Sequence, residues 1–160
     1  MGRLAEDTGV LLYLAAVKEL VTTGQKVSLD VYGDGPLRSE CQKVANDMKT
    51  VISLKGVQKI TTAIYQKYSM AFVSGYLSIL EALSAGVNVV AVTNQAAEIK
   101  SDYLYLTPFA NWITIANSAE EVAAAVLKQK PLSIEAKKWA QQQTWKKLAV
   151  TYQQLWKKHA

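Results

Sequence analysis

The residues most able to do chemistry lie between Phe72 and Gly86, around a Ser-Gly turn. An apolar run, this turn and a helical apolar pattern predict a buried strand, a tight turn and a helix that begins near residue 76. The first turn of a helix presents backbone N–H groups and a positive dipole end, which favour an anion such as a phosphate. We therefore predict an anion site formed by Ser74, Gly75, Tyr76, Leu77 and Ser78.

Glu81 lies further along the same predicted helix. A carboxylate in this position could accept hydrogen bonds from the sugar hydroxyls of a nucleotide. An ordinary strand, turn and helix with an exposed glutamate explains the local pattern equally well. Glu81 is therefore a candidate ligand for a ribose, and both interpretations stay open.

Arg3 stands in a segment, Met1 to Leu4, that reads as the end of a strand whose first residues are absent. Its planar guanidinium could pair with phosphate oxygens. An ion pair with Glu6 or Asp7 is the alternative, and the sequence favours neither.

A Gly-x-Gly pattern, Gly33-Asp34-Gly35, follows a predicted strand and precedes Pro36. It resembles the start of a dinucleotide fingerprint, but Arg38 stands where the third glycine belongs, and such a pattern alone is weak evidence. The pattern favours a turn that leads into a proline-started helix. A dinucleotide-dependent enzyme is the less favoured alternative.

The composition excludes several kinds of site. Cys41 and His159 are the single cysteine and histidine of the 160 residues, which argues against an internal disulfide, a Cys/His metal cluster and Ser-His-Asp chemistry. No metal is expected. No apolar run reaches the roughly 18–20 residues that cross a bilayer, and the first residues do not resemble a signal peptide. We therefore expect a cytoplasmic protein.

The excess of positive charge is confined to residues 131–160, where six lysines accompany the single Glu135. The rest of the chain is balanced, so a nucleic-acid-binding core is not expected. An aromatic stripe runs through the same segment, and lysine pairs at 137–138, 146–147 and 157–158 flank it. The stripe either packs on the domain or forms a face for another domain or an anionic membrane surface, through residues 137–158.

Short apolar runs alternate with helical patterns along the chain. Strands are predicted at 27–32, 51–54, 70–73, 89–92 and 112–115. Helices are predicted at 7–20, 36–46, 60–68 and 76–85, from about Ala96, from a cap at Ser118 to before Pro131, and at 132–158, in one or two pieces.

This alternation predicts an α/β fold, a Rossmann-like three-layer αβα domain with a parallel sheet. Residues 1–130 form this domain, and residues 131–160 form a basic amphipathic helical segment packed on it. Ligands bind such sheets at the carboxyl ends of the strands. That edge is expected at residues 2–9, 33–38, 55–58, 74–78 and 93–98.

Taken together and in order, these motifs resemble the C-terminal half of retaining GT-B glycosyltransferases of family four, the glycosyl transferases group 1. The resemblance covers essentially the whole chain. It is carried by Gly2-Arg3-Leu4 with Gly9, by the stretch from Val31 to Arg38, by Leu54-Lys55-Gly56-Val57 and, most densely, by the stretch from Leu80 to Val92.

The resemblance implies two Rossmann-like domains, of which the C-terminal one binds a nucleoside-diphosphate sugar as substrate and the N-terminal one binds the acceptor. It implies that Arg3 contacts the diphosphate, that the backbone N–H groups of residues 75–78 hold the phosphates and that Glu81 binds the ribose. Val57 would lie near the base, and Gly33 belongs to the same donor-binding set. It implies no cofactor, and no catalytic residue is identified.

Two departures from the family pattern and the missing acceptor domain bear on activity. Thr8 stands where the family usually has a lysine, and Val73 stands eight positions before Glu81, where the family has the first glutamate of a pair. The acceptor domain, in cis or in trans, is also missing. The alternative to a glycosyltransferase is therefore a catalytically degenerate nucleotide-binding or interaction module.

Overall fold

The computed structural model describes residues 1–93, 103–128, 131 and 133–158. Its strands are β1 (Leu29–Tyr32), β2 (Ile52–Gly56), β3 (Met70–Phe72), β4 (Asn88–Val92) and β5 (Thr114–Ala116). Its helices are α1 (Val10–Thr22), α2 (Arg38–Asp47), α3 (Thr62–Tyr65), α4 (Tyr76–Ala85), α5 (Ala119–Leu127), α6 (Ile134–Gln141) and α7 (Trp145–Lys158), with 3-10 turns at Glu6–Thr8 and Ala110–Trp112.

Most of the predicted elements are present, with shifts of a few residues at their ends. The predicted helix at 76–85 matches α4, which ends where Gly86 takes a left-handed conformation with φ of +84°. The predicted cap at Ser118 is confirmed, because its side chain accepts a hydrogen bond from the amide of Glu121. Residues 132–158 form two helices, α6 and α7. The start of the helix predicted from about Ala96 lies outside the described residues.

All pairings between the described strands are parallel, which confirms the α/β class. The strands form two sheets, one of order β1-β2 and one of order β3-β4-β5, where one continuous sheet was predicted. The segment between the two sheets is Met1 to Leu4. The amine of Met1 donates to the carbonyl of Phe72, and the amide of Gly2 donates to the carbonyl of Tyr32. This segment is not assigned as a strand, so the ladder is interrupted there.

Helices cover both faces of the sheet of β3, β4 and β5, which gives the predicted three layers, and α1 and α2 cover one face of the sheet of β1 and β2. α1, α2 and α5 pack on one face, through apolar side chains such as Leu14, Cys41 and Val122. α4 and α6 pack on the other face, through Ile79, Leu83 and Ala136 among others. β4 serves both cores, since Val90 and Val92 join the cluster with α1 and α5, whereas Val89 and Ala91 join the cluster with α4. The alternation follows from the two-residue period of a strand.

The two helices of the C-terminal segment differ in their packing. Ala136 and Ala140 of α6 are buried against the core around α4, and the ring of Trp139 contacts the rings of Phe109 and Trp112. α7 keeps its large apolar side chains exposed, namely Trp145, Leu148, Val150, Tyr152, Leu155 and Trp156. None of the helices in the described part of the chain is both long enough and apolar enough to cross a bilayer.

Candidate functional site

A cleft of about 500 Å³ opens at the carboxyl ends of β1 and β3 and continues between these two strands. Among the predicted site residues, its lining includes Arg3, Ser74, Gly75 and Ser78. These residues are far apart in sequence and meet because the carboxyl ends of parallel strands lie at one edge of a sheet. The predicted anion site and the predicted arginine therefore share one cleft.

The amino end of α4 borders this cleft, which Gly75 and Ser78 line. Gly75 occupies the N-cap in an extended conformation, with no side-chain cap. The first hydrogen bond of the helix runs from the amide of Ile79 to the carbonyl of Gly75. The amides of Tyr76, Leu77 and Ser78 precede this bond, so they have no acceptor within the helix. The end of α4 can therefore donate to an anion, and the anion site itself stays a prediction.

Ser74 is engaged in holding this turn in place. Its Oγ lies 2.7 Å from the hydroxyl of Tyr13 in α1 and accepts a hydrogen bond of 3.0 Å from the amide of Val92. The carbonyl of Ser74 also accepts a hydrogen bond from the hydroxyl of Tyr103. Burial raises the pKa of Tyr13, so its hydroxyl stays neutral and can both donate and accept. The side chain of Ser74 thus positions the turn.

Arg3 points to solvent and is ion-paired within its own segment. Its Nη2 lies 2.7 Å from Oδ2 of Asp7, and its side chain is 64% exposed. Of the two roles left open by the sequence, the structure therefore shows the ion pair. Arg3 is also among the residues that line the cleft, so a phosphate bound there would compete with the carboxylate of Asp7 for its guanidinium.

Glu81 is exposed on α4 and lies outside the lining of the cleft. Its Oε2 accepts a hydrogen bond of 3.3 Å from the hydroxyl of Tyr65, which does line the cleft. Burial and the nearby carboxylate of Glu81 raise the pKa of Tyr65, so this hydroxyl keeps its proton. Glu81, Tyr76 and Leu77 line a second groove of about 330 Å³ between α4 and α7.

Gly33 packs against the backbone of the first residues. Its φ is +134°, and a Cβ added there would stand 1.7 Å from the carbonyl oxygen of Gly2. Gly35 similarly lies under Leu4, whose carbonyl oxygen would be 2.4 Å from an added Cβ. The Gly-x-Gly pattern therefore serves a close approach between two segments of the chain, which favours the turn over the dinucleotide fingerprint.

Val57 follows β2 and is 78% exposed. Neither Val57 nor Gly33 contributes to the cleft or to the groove beside α4. Of the nine predicted donor-binding residues, the structure thus gathers Arg3, Ser74, Gly75 and Ser78 in the cleft.

The position of the missing first glutamate is occupied by a core residue. Val73 is 2% exposed and packs in the cluster that contains Ile79 and Leu83. Only residues 73–75 separate β3 from α4, so the connection is a tight turn with little room for a loop that faces a ligand. The absence of a carboxylate at position 73 therefore agrees with the burial of this position.

Three tyrosines around the turn were missed from the sequence, namely Tyr13, Tyr65 and Tyr103. The first two are buried, yet each hydroxyl finds polar partners at the turn or on α4. A signal existed for Tyr13, which lies on the apolar side of α1, because a buried tyrosine hydroxyl usually needs a hydrogen-bond partner.

Within the described ranges, no group of three or more His, Cys, Asp or Glu side chains could hold a metal ion. That no metal is required stays a prediction made from the sequence.

Comparison with solved structures identifies the fold. The pneumococcal O-GlcNAc transferase GtfA, solved with UDP and GlcNAc, superposes with a TM-score of 0.72 at 14% identity, over 96% of this chain and 34% of that one. TarM superposes with a TM-score of 0.73 at 14% identity, over the same shares of the two chains. WaaG, a glycosyltransferase involved in lipopolysaccharide biosynthesis, has a TM-score of 0.60 at 18% identity, over 89% of this chain and 42% of that one.

The chain thus spans about a third of the length of the first two of these structures, 34% in each case. At this level of identity the likeness establishes the fold, that of GT-B glycosyltransferases. No curated protein matches the chain. The family model described as "Glycosyl transferases group 1" matches residues 1–129, which is most of the sequence. The chain therefore belongs to the glycosyl transferases group 1 family.

Proposed function

We propose that this chain is the nucleotide-sugar-binding part of a GT-B glycosyltransferase. With an acceptor-binding domain present, it would transfer a sugar from a nucleoside-diphosphate sugar to an acceptor. Membership of the glycosyl transferases group 1 family supports this proposal. The division into a nucleotide-binding domain at 1–130 and a helical segment at 131–160 belongs to the same proposal.

The observation that carries the proposal is the shared cleft of Arg3 and the amino end of α4. A diphosphate offers two adjacent anionic groups. One could accept from the amides of residues 76–78, and the other could pair with the guanidinium after it leaves Asp7. Since Arg3 is largely exposed, its exchange from Asp7 to a phosphate requires little desolvation.

The chemical role of these groups follows from the charge that develops during transfer. The bond between the anomeric carbon and the diphosphate oxygen breaks, and a bond from that carbon to the oxygen of an acceptor hydroxyl forms. The proton of that hydroxyl leaves to the departing diphosphate, which has gained the electron pair of the broken bond. Negative charge then grows on the departing diphosphate, where Arg3 and the α4 amides would stabilise it. Glu81 would bind the ribose and Val57 would lie near the base. Thr8 supplies no positive charge, so we expect weaker diphosphate binding than a lysine would give.

A second domain, in cis or in trans, is part of the proposal. The chain spans about a third of the length of the related solved structures, 34% for GtfA and TarM. One of the solved relatives is described as a GtfA/B complex. We therefore propose that the acceptor site is completed by polypeptide outside residues 1–160.

The alternative is a catalytically degenerate nucleotide-binding or interaction module. The burial of Val73 favours it, because no carboxylate stands at the position of the first glutamate to face a donor sugar. Such a module would still bind the nucleotide but would not transfer a sugar, so nucleotide binding and sugar transfer must be measured separately.

A peripheral membrane contact through residues 137–158 is a further part of the proposal. α7 exposes Trp145, Leu148 and Trp156 beside Lys146, Lys147 and Lys157, a combination suited to an anionic bilayer surface. Sedimentation with vesicles of phosphatidylglycerol and phosphatidylcholine tests it. Binding that grows with the anionic lipid supports the contact, and binding that ignores lipid charge contradicts it. The cytoplasmic location stays a prediction.

The test of the nucleotide site is a titration with UDP, GDP, ADP and NAD, followed by calorimetry and backbone amide shifts. We expect saturable binding of one nucleoside diphosphate, with shifts at Arg3 and at residues 74–81. NAD should not bind. Binding of NAD alone would support the dinucleotide-dependent enzyme suggested by the glycine pattern at Gly33. Absence of binding at millimolar nucleotide would contradict the proposed donor site.

A matched pair of variants sharpens this titration. Arg3→Ala should weaken nucleoside diphosphate binding about tenfold or more, as expected for the loss of a charge-assisted contact. Arg38→Ala is the control, because Arg38 is also an exposed arginine paired with an aspartate four residues away but lies outside the cleft. Equal affinity of the two variants would remove Arg3 from the site.

A further inference from the structure

Glu81 stands between two spaces of the molecule. It lines the groove between α4 and α7, and it lies about one helical turn beyond Ser78, which lines the cleft. An exposed glutamate has several rotamers, so its carboxylate can turn to either side of the helix. The side that the carboxylate takes decides whether it can reach a nucleotide in the cleft.

The hydroxyl of Tyr65 is the group that holds this carboxylate. It lies 3.3 Å from Oε2 of Glu81, and among the residues that the structure describes it is the only hydrogen-bond donor to the carboxylate. Tyr65 is the last residue of α3, and it is itself among the residues that line the cleft. The contact therefore keeps the carboxylate on the side of α4 that faces Tyr65.

Tyr65 is a rigid donor. Its side chain is buried and packs in the core cluster that contains Ile79 and Leu83 of α4. Because close packing holds a buried ring in one rotamer, the hydroxyl stays at a fixed point beside α4. Burial and the carboxylate of Glu81 raise the pKa of Tyr65, so the hydroxyl keeps the proton that it donates.

The proton of Tyr65 has a second acceptor within reach, the carbonyl of Ser78 at 3.4 Å. That carbonyl lies inside α4, where the amide four residues further on is its ordinary helical partner. The carboxylate of Glu81 is the stronger acceptor, because a charged group forms shorter and stronger hydrogen bonds than a neutral one. The bond to Glu81 engages Oε2 and leaves the lone pairs of Oε1 for other donors.

We propose that Tyr65 is a positioning residue for recognition of the nucleotide: its hydroxyl holds the carboxylate of Glu81 so that Oε1 accepts hydrogen bonds from the ribose hydroxyls. This inference rests on the proposed nucleotide site and on the ribose contact proposed for Glu81. It makes the preference for ribose over deoxyribose depend on a tyrosine of another helix, α3.

The groove between α4 and α7 supplies the competing position for the carboxylate. Lys147 of α7 lines this groove together with Glu81, and its positive charge attracts a carboxylate that is free to turn. Without the hydroxyl of Tyr65, the carboxylate would spend part of its time on that side. The two neighbouring hydroxyls of a ribose would then meet a correctly placed acceptor less often, and ribose binding would weaken.

The affinities of UDP, GDP and ADP and of their 2′-deoxy forms test the proposal. In Tyr65→Phe, which keeps the ring, we expect the preference for the ribose form to fall about three- to tenfold, as expected for the loss of one hydrogen bond. Tyr32→Phe is the control, because Tyr32 is also a buried tyrosine, and its hydroxyl lies against that of Tyr68. An unchanged preference in Tyr65→Phe, or an equal fall in the control, would overturn the proposal.

A double variant shows whether Tyr65 acts through Glu81. In a protein that already carries Glu81→Ala, Tyr65→Phe should change the preference by less than about twofold, because no carboxylate remains to be oriented. A fall as large as that in the protein with Glu81 intact would show that Tyr65 acts by another route and would contradict the proposal.

A measurement without nucleotide distinguishes failure of this inference from failure of the proposed function. Scalar couplings of the Glu81 side chain report its rotamers in the free protein. We expect one dominant rotamer in the unmodified protein and averaged couplings in Tyr65→Phe, like those of the exposed Glu19. Unchanged couplings would overturn the role of Tyr65 even where a nucleotide binds. The expected couplings without binding of any nucleoside diphosphate would confirm the contact with Glu81 but contradict the nucleotide site, and with it the role in ribose recognition.

Discussion

The hydroxyl of Tyr13 lies 2.7 Å from Oγ of Ser74, so α1 is tied to the turn that precedes α4. The amide of Val92, at the end of β4, donates to both oxygens, at 3.1 Å and 3.0 Å. One small polar cluster thereby fixes the positions of α1, the turn and β4. We infer that the amino end of α4, and with it the anion site, owes its position to this cluster.

Tyr13→Phe removes one hydroxyl from this cluster and keeps the ring that stacks on Phe72. The amide of Val92 keeps its bond to Ser74, so we expect the free energy of unfolding to fall by about 1–2 kcal/mol. Urea denaturation measures this change. Tyr152→Phe, on the exposed side of α7, is the control and should change stability by less than about 0.5 kcal/mol. Equal midpoints for the two variants would contradict the role of Tyr13.

Gly33→Ala places a methyl group against the carbonyl oxygen of Gly2, which would be 1.7 Å away. The backbone must move to relieve this contact, so we expect the free energy of unfolding to fall by about 3 kcal/mol or more. Gly24→Ala is the matched control, because Gly24 also has a positive φ, of +82°, but has open space around it. Its loss should be only the conformational strain, about 1–2 kcal/mol. Similar losses in urea denaturation would show that the close approach to Gly2 is unimportant.

The stability of a chain with a free amine at Met1 should depend on pH. Burial lowers the pKa of this amine from 8.0 to about 6, so the unfolded chain binds more protons than the folded one between these values. The free energy of unfolding should therefore rise between pH 6 and pH 8, by up to about 2 kcal/mol. Below about pH 6 the amine is charged in both states, and the full cost of burying its charge is present. The Nα-acetylated protein is the control. An equal rise in both proteins would assign the effect to other groups.

The two C-terminal helices should differ in their contribution to folding. A chain that ends after Gln143 lacks α7, whose large apolar side chains are exposed, and it should keep its urea midpoint. A chain that ends after Pro131 also lacks α6 and uncovers the core around Phe109. We expect its free energy of unfolding to fall by several kcal/mol, on the order of the contribution of two buried side chains, or the chain to unfold. Near-ultraviolet circular dichroism and urea titration separate the two cases. Equal stability of the two truncated chains would contradict the packing of α6.

Glu81→Gln tests the proposed ribose contact. We expect the substitution to weaken binding of a ribonucleoside diphosphate several-fold and to change binding of the corresponding deoxyribose form less. The reason is that a carboxylate binds a hydroxyl more strongly than a neutral amide does. Glu19→Gln, on the exposed side of α1, is the control. If the unmodified protein binds the deoxyribose form as well as the ribose form, Glu81 has no such role.

Local patterns were sufficient for most of the secondary structure. The apolar run, the Ser-Gly turn and the helical spacing predicted α4 to the residue, and Ser118 predicted the start of α5. These signals work because helix periodicity, caps and stop residues act within a few positions of the chain. The shorter elements β3 and α3 were predicted too long, since end positions respond to packing that no local pattern records.

The candidate site was predicted in part. Arg3 and the Ser74–Gly75 turn meet in one cleft, as expected for the carboxyl edge of a parallel sheet. Glu81 lies outside the lining of that cleft and is linked to it by Tyr65, a contact between residues that no motif connects. The sequence left two roles open for Arg3, and the structure shows its ion pair with Asp7.

Periodicity and turn chemistry thus determined the α/β class, the order of the elements and the turn that carries the backbone donors of the site. Tertiary structure alone decided that Tyr13 holds this turn from 61 positions away, that Gly33 makes room for Gly2 and that the sheet divides between β1 and β3. The reason is physical. Contacts between distant segments depend on how layers pack and which edges meet, and these relations leave no repeating pattern within a single stretch of sequence.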